Sequence, residues 1–413
     1  MIKRIPVTSL EPGMYLHKVG GSWLDHPFWR TSFVLRSSDI EGLKRHGVDE
    51  VWIDSSKGLD TAEGTSAEEV ERDAEALVVQ AGTSPMPLVD APPVHSEEAG
   101  ELAKAAALAG RARQAVARLF GDARLGRSID ADHLMPLVAN IVESVQRDES
   151  ALISLVRMKT EDEYTYLHSV AVCALMVALA RQLGFNEEQT QRAGLAGLLH
   201  DVGKAKIPSN ILNKPGKLTE TEFAVMKMHP VRGHAVLAKS GRIDPVAMDV
   251  CLHHHEKIDG TGYHARLSAE KISLLSRMGA VCDVYDAVTS HRPYKRPWHP
   301  ADALRQMATW KGHFDPVVFQ AFIKAVGIYP VGSLLRLQSG HLAVVVRQTA
   351  GSLLRPVVKV FFELERNEWL TPFLLDLSEP GSGNGVQGIA APEDWDLGDI
   401  DHLWLVESNR SDG

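Results

Sequence analysis

Cysteine is scarce in this 413-residue chain. Its three residues, Cys173, Cys251 and Cys282, are too scattered for a disulfide framework or a thiolate zinc knot. Their apolar neighbours mark them as core packing. No apolar run reaches the roughly 20 residues that span a bilayer, and the most apolar helical stretch, Val170–Leu183, is interrupted by Arg181. The N-terminus, MIKRIPVTSLEPGMYL, has no apolar segment of signal-peptide length. Surplus positive charge is also missing. Lys and Arg number 44 against 53 Asp and Glu, a net charge of -9, and such a surface repels a phosphate backbone. The expectation is a soluble, cytoplasmic protein with no membrane insertion and no nucleic-acid polymer as partner. A small anionic ligand in a locally positive pocket stays open.

What the chain has in abundance is histidine. Of 18, eight (168, 200, 229, 234, 253, 254, 255 and 264) fall between residues 168 and 264, about twice an even share. Such clustering points to a metal site or a histidine-based active site.

Pattern changes divide the chain. Residues 1–60 carry short apolar runs between Gly and Pro, with a helix around Ser37–Arg45, and read as a small β-rich module. Residues 61–100 are acidic, with prolines at 85, 87, 92 and 93, and read as a linker that builds no core of its own. Residues 101–149 return to helical spacing, with Leu102, Ala106, Ala109, Ala112, Val116 and Leu119 on one face, and read as connecting helices. Residues 150–328 are dominated by helices with legible starts. Asn186 with Gln189 and Thr219 with Glu222 have capping-box spacing, and Pro230 interrupts the second helix. Residues 329–413 turn to alternating and β-branched runs, a hairpin plus another strand in a β-rich C-terminal extension.

The chemistry-bearing residues lie in the helical segment. His200-Asp201 ends an apolar helix and is followed by Gly203 and Lys204. An adjacent imidazole and carboxylate reach one metal cluster, and the carboxylate can bridge two ions. Alone the pair reads as helix-end capping; its company changes that. His168 lies 32 residues earlier, His229 lies 29 later, and His254-His255 and Asp283 follow. Such helix-sized spacings let each ligand project inward from a different helix. Nitrogen and oxygen donors without thiolate favour Fe, Mn or Zn.

The elements Tyr164-x-x-x-His168, HDVGK (200–204), His229-Pro230, HHEKIDGTGY (254–263) and DVYDAVTSHRPYK (283–295) resemble the HD-GYP domain, a branch of the HD superfamily, over roughly residues 150–325. The N-terminal module resembles, more loosely, the uncharacterised domain that often precedes HD-GYP domains. The resemblance implies a mainly α catalytic domain, an HD-type helical bundle, between the β-rich N-terminal domain and the β-rich C-terminal extension. It implies a bacterial phosphodiesterase hydrolysing the second messenger cyclic di-GMP to pGpG or GMP. It makes His168, His200, Asp201, His229, His254, His255 and Asp283 the metal ligands, with Asp201 bridging. Lys204 becomes the donor to the phosphate or the nucleophile, and Tyr263, Arg292 and Lys295 the holders of substrate. Arg292 and Lys295 also have a plain physical reading: a guanidinium and an ammonium three residues apart suit phosphate oxygens.

Two positions depart from the family pattern. Gly262-Tyr263-His264 stands where the family has Gly-Tyr-Pro, and Tyr164 stands where three-metal members carry Glu. Two divalent transition metals are therefore expected, Fe or Mn first, with Ni or Zn as further candidates. Among the neighbours, Asp286 reads as a partner of a ligand, Asp259-Gly260 as a turn, and Glu256 as either a partner of a ligand imidazole or a surface ion pair. His264 is either turn filler or a substrate contact. Further candidate partners are a diguanylate cyclase, other signalling proteins and a second copy of the chain. Two rival functions stand beside the enzyme: a cyclic di-GMP-binding regulatory protein with weak or no turnover, and an HD phosphohydrolase acting on another nucleotide.

Overall fold

Asn186 and Thr219 open their helices as the sequence predicts. Each side chain accepts from the backbone N–H three residues on, while Gln189 and Glu222 reach back to the cap residues. The computed structural model describes residues 1–21, 32–85, 98–157, 164–290, 297–349, 351–379, 383–395, 397–398 and 400–404.

The N-terminal module contains β1 (Ile2–Pro6), β2 (Tyr15–Val19), β3 (Phe33–Val34), α1 (Ser37–Arg45), β4 (Glu50–Asp54) and β5 (Thr65–Ser66). Its strands form an antiparallel sheet in the order β3-β2-β4-β1-β5. Ile5, Leu16, Val51 and Ile53 alternate onto one face and pack with Ile40 and Leu43 of α1.

The supposed linker is corrected here. Residues 67–83 form α2 (Ala67–Thr83), opened by a Ser66–Glu69 capping box. Its buried positions, Val70, Ala74, Val78 and Gly82, are spaced by four and lie on one face. Averaging acidity and proline over 61–100 hid this stripe, because every proline of that window falls after the helix. The far part of the window, 86–97, lies outside the described residues.

Among the described residues twelve helices follow: α3 (Glu98–Leu125), α4 (Met135–Arg147), α5 (Glu149–Arg157), α6 (Tyr164–Gln182), α7 (Glu187–Leu199), α8 (Ser209–Leu212), α9 (Glu220–Met226), α10 (His229–Lys239), α11 (Pro245–His253), α12 (Leu274–Thr289), α13 (Pro300–Ala308) and α14 (Pro316–Val326). Pro230 divides α9 from α10 and sits in the first turn of α10, where its missing N–H breaks no hydrogen bond. Every residue of α6 from Leu167 to Ala180 is buried. By length and composition α6 could cross a membrane, but it is the central helix of the bundle, wrapped by α3, α5, α7, α12 and α14. α2 packs on α13 and α14, so it joins the bundle's core.

Among the described residues five strands follow the bundle, two more than the sequence predicts: β6 (Leu334–Leu337), β7 (His341–Thr349), β8 (Ser352–Glu363), β9 (Glu368–Asp376) and β10 (Val386–Ile389), in the order β10-β6-β7-β8-β9. β9 is mostly exposed, so it lacks the alternation that marks a half-buried strand. On β7, Ala343 and Val345 pack on the bundle while Leu342 and Val344 pack with Trp404, Leu397 and Ile400. Both faces of the sheet's centre are thus covered. The result is a helical domain flanked by a β-rich module at each end.

Candidate metal centre

Five helices deliver the site. His168 projects from the first turns of α6, His200 and Asp201 end α7, His229 opens α10, His254 and His255 follow α11, and Asp283 lies on α12. The short 3-10 turn after Asp201 lies directly on the start of α10. A Cβ on Gly203 would sit 1.9 Å from the His229 carbonyl oxygen and 2.4 Å from the Gly233 nitrogen. Only glycine lets the two segments touch, and that contact brings Asp201 to His229.

Two groups of potential ligands form, His168 with His200, Asp201 and Asp283, and His229 with His254 and His255. All are buried except His255, which is partly exposed. Asp201 joins them. Its Oδ2 lies 3.4 Å from Nε2 of both His168 and His200, and its Oδ1 lies 3.2 Å from His229 Nε2 and 3.9 Å from His254 Nε2. Asp283 Oδ1 lies 3.0 Å from His168 Nε2, and its Oδ2 lies 3.8 Å from His255 Nδ1.

The outer ring nitrogens are tied down. His168 Nδ1 bonds Asp286 at 2.6 Å, His200 Nδ1 the Gly197 carbonyl at 2.7 Å, His229 Nδ1 the Met226 carbonyl at 2.9 Å and His254 Nδ1 the Val250 carbonyl at 3.0 Å. A carbonyl only accepts, so Nδ1 carries a proton in the last three, which leaves the inward Nε2 of each as the nitrogen that can take a metal.

Electrostatics divides the imidazoles. Burial pushes His229 down to about 4 and His254 to about 3, and holds His255 well below the ordinary value, so these rings are neutral. For His168 and His200 burial acts the same way, but hydrogen bonds and charge from Asp201, Asp283 and Asp286 outweigh it and the shift is upward. Asp201 and Asp283 stay ionised against burial because Lys204 and the histidines surround them.

This arrangement fits a divalent cation. His229 Nε2 and His254 Nε2 face each other at 3.3 Å, two neutral nitrogens with no proton to share. His200 Nε2 and Asp201 Oδ1 are buried and have no hydrogen-bond partner among the described residues. A cation would satisfy all of these donors at once, and nitrogen and oxygen donors without thiolate suit iron, manganese, zinc or nickel.

The remaining predicted site residues divide. The Lys204 ammonium ion-pairs with Asp201 Oδ2 and is partly exposed. The Tyr263 ring stacks on His255, with centroids 4.6 Å apart. Arg292 and Lys295 lie in 291–296, outside the described residues. His264 is exposed and stacks on His253 at 5.7 Å.

Glu256 has neither role weighed for it in the sequence. It is 2% exposed, and its two carboxylate oxygens accept from the N–H groups of Ala265 and Leu267 at 2.7 and 3.0 Å. It thereby fixes the loop that carries Tyr263. Gly262 completes that loop, since a Cβ there would sit 2.5 Å from Glu256 Cα.

Residues 2–134 match the model of a domain of unknown function, DUF3391, and residues 136–318 match the HD domain. A cyclic di-GMP phosphodiesterase of Pseudomonas aeruginosa is 51% identical over 416 residues, covering 100% of this chain and 98% of that protein. A cyclic di-GMP phosphodiesterase response regulator of Xanthomonas campestris is 39% identical over 191 residues, 46% of this chain and 50% of its own. A 3'3'-cGAMP-specific phosphodiesterase of Vibrio cholerae is 34% identical over 189 residues, 45% of this chain and 33% of its own.

Proposed function

The chain belongs to the HD-GYP branch of the HD-domain phosphodiesterases, with a DUF3391 domain ahead of its HD domain, and on that footing we propose that it hydrolyses cyclic di-GMP to pGpG, GMP or both in turn. The observation that carries this reading is Asp201, which turns one oxygen toward each of two adjacent groups of ligand-type side chains. His168, His200, Asp201 and Asp283 would hold one divalent metal and His229, His254 and His255, with Asp201 shared, a second. When bound, two such metals lower the pKa of a water and neutralise phosphoryl charge, the main obstacle to phosphodiester hydrolysis.

The chain's own residues do the rest. Asp286 and the Gly197, Met226 and Val250 carbonyls orient the ligand imidazoles. Lys204, anchored by Asp201, presents positive charge to a phosphoryl oxygen. Tyr263, propped against His255, offers a ring face on which a guanine base stacks. Arg292 and Lys295 hold the phosphate. Water attacks phosphorus in line and the 3'-oxygen leaves, which opens the ring to pGpG; a second cut gives GMP. The buried, unpaired thiols of Cys173, Cys251 and Cys282 fit a reducing compartment, and the cytoplasm is the proposed location.

A second substrate reading rests on the relative named for 3'3'-cGAMP. The test is anaerobic turnover with Mn(II) or Fe(II), cyclic di-GMP and 3'3'-cGAMP run side by side, and products separated by chromatography. The expected outcome is faster cleavage of cyclic di-GMP, two metals per chain, and background activity with reduced metal content in Asp201→Ala. Bound metal without hydrolysis of either dinucleotide would favour the regulatory role. A faster reaction with 3'3'-cGAMP would reassign the substrate.

A further inference from the structure

A cavity with a mixed apolar and charged lining lies at the joint between the N-terminal module and the bundle. Its volume is about 120 Å³, and its lining includes His17, Lys18, Trp52, Glu71, Arg305 and Gln306. One bridging water needs only about 10–15 Å³, so this space has room for a small ion or several waters.

A break in β2 aims Lys18 into it. Leu16 pairs with Ile53 on the core face of the sheet, and strict alternation would put Lys18 on that same apolar face. A β-bulge at His17 shifts the register, so Lys18 pairs with Trp52 on the opposite face, toward α2 and α13. Bulges serve to re-aim a side chain in this way. The Lys18 ammonium sits 4.6 Å over the Trp52 ring. Among the described residues it has no hydrogen-bond acceptor and no ion-pair partner. Burial pushes its pKa down, and the more distant charges of Asp302 and Glu71 only partly offset that.

A second donor meets it. Arg305 of α13 is 17% exposed and gives its Nη2 to Asp302, yet its Nε is buried and without an acceptor. Two cationic side chains thus line one cavity, Lys18 with no acceptor for its ammonium, and the carboxylate of Glu71 on its wall is exposed. Leaving such donors unmet costs free energy. An oxyanion gives the Lys18 ammonium its missing acceptor and is drawn by the charge of the Arg305 guanidinium, because it brings acceptors, negative charge and no competing donors.

We propose that this cavity binds a small phosphate-bearing anion, held between Lys18 of the N-terminal module and Arg305 of the helical bundle. The site is independent of the reaction proposed above and gives the N-terminal module a ligand of its own. α13, which supplies Arg305, packs on α12, which carries Asp283, so the occupied cavity adjoins the framework of the metal centre.

The test titrates inorganic phosphate into the full chain at constant ionic strength, with chloride as the compensating anion, and follows melting temperature and binding heat. Wild type, Lys18→Gln and Glu71→Gln are compared. Phosphate taken up at the histidine cluster is common to all three and cancels. The expected result is a saturable component in the wild type that weakens about tenfold in Lys18→Gln, the loss of one charge-assisted hydrogen bond. In Glu71→Gln the same component tightens, because a repelling carboxylate is gone. Identical titrations for the three proteins, or no saturable component in the wild type, would overturn the proposal. Both variants alter partly or fully exposed positions, and the opposite signs separate a binding effect from a loss of fold.

Discussion

Asp286 holds His168 by a 2.6 Å contact to Nδ1, from one turn along α12 beyond Asp283. One helix therefore supplies both a candidate ligand and the group that orients another. In Asp286→Asn the amide can turn a donor toward Nδ1, which then keeps its lone pair and places the proton on the inward nitrogen. Metal affinity is expected to fall about 10–100-fold while the far-ultraviolet spectrum stays unchanged, as read by metal titration. Asp249 does a comparable job for stability. It accepts from His253 of α11 and from the hydroxyls of Ser273 and Ser276 at the start of α12. Burial pushes its carboxyl up, but these bonds outweigh burial and bring it to about 2. A carboxyl depressed in the folded state stabilises above its unfolded value of about 4 and loses that contribution as pH falls through about 2. Asp249→Asn is expected to cost about 1 kcal/mol at neutral pH, after discounting for its exposure, and only a small part of that near pH 2, as urea melts at the two pH values would record. Histidine and carboxylate spacing made the cluster legible in the sequence. The role of Glu256 was not, because its partners are backbone N–H groups, and those carry no signature in a list of side chains.

At the scale of elements, the bundle's starts were legible and its contacts were not. Asn186, Thr219 and Pro230 announce helix ends through local chemistry, which acts within four residues and can be read in a line. On α3 the anticipated face held at Ala112, Val116 and Leu119, whereas Ala105 is buried and Ala106 exposed, since small residues fix a helix's rotation poorly. α2 was missed because its stripe is completed only by partners more than 200 residues away. The Gly203 contact is another long-range fact. Gly203→Ala must push the 3-10 turn off α10, and it is expected to cost about 1–3 kcal/mol and to lower metal content together with stability. Parallel denaturation and metal analysis would register both. Retained stability with lost metal would instead mean that the turn moves freely.

For the whole molecule, α2 is the hinge of the architecture in the literal sense of a shared part. It follows β5 without a break, and the side chains of Gln320 and Lys324 on α14 donate to its last carbonyls, at Ala81 and Ser84. Gly82 lies so close to Ile328 that a Cβ there would come within 2.5 Å of it. Removing residues 1–85 would uncover apolar positions of α13 and α14, each worth about 1.5–3 kcal/mol of burial. Such a truncation is expected to melt well below the full chain or to aggregate, whereas removing only 1–64 should leave the bundle's melting temperature within a few degrees of the full chain, as thermal melts of the purified chains would show.

That shared helix also limits how information passes along the chain. A module on a slack tether reports a signal by changing how often it visits its partner. Here the first sheet and the bundle grip the same rod, α2, so the module is geared to the bundle. A displacement of the first sheet that moves α2 is therefore carried directly to α13 and α14, which pack on α12, the helix that holds Asp283.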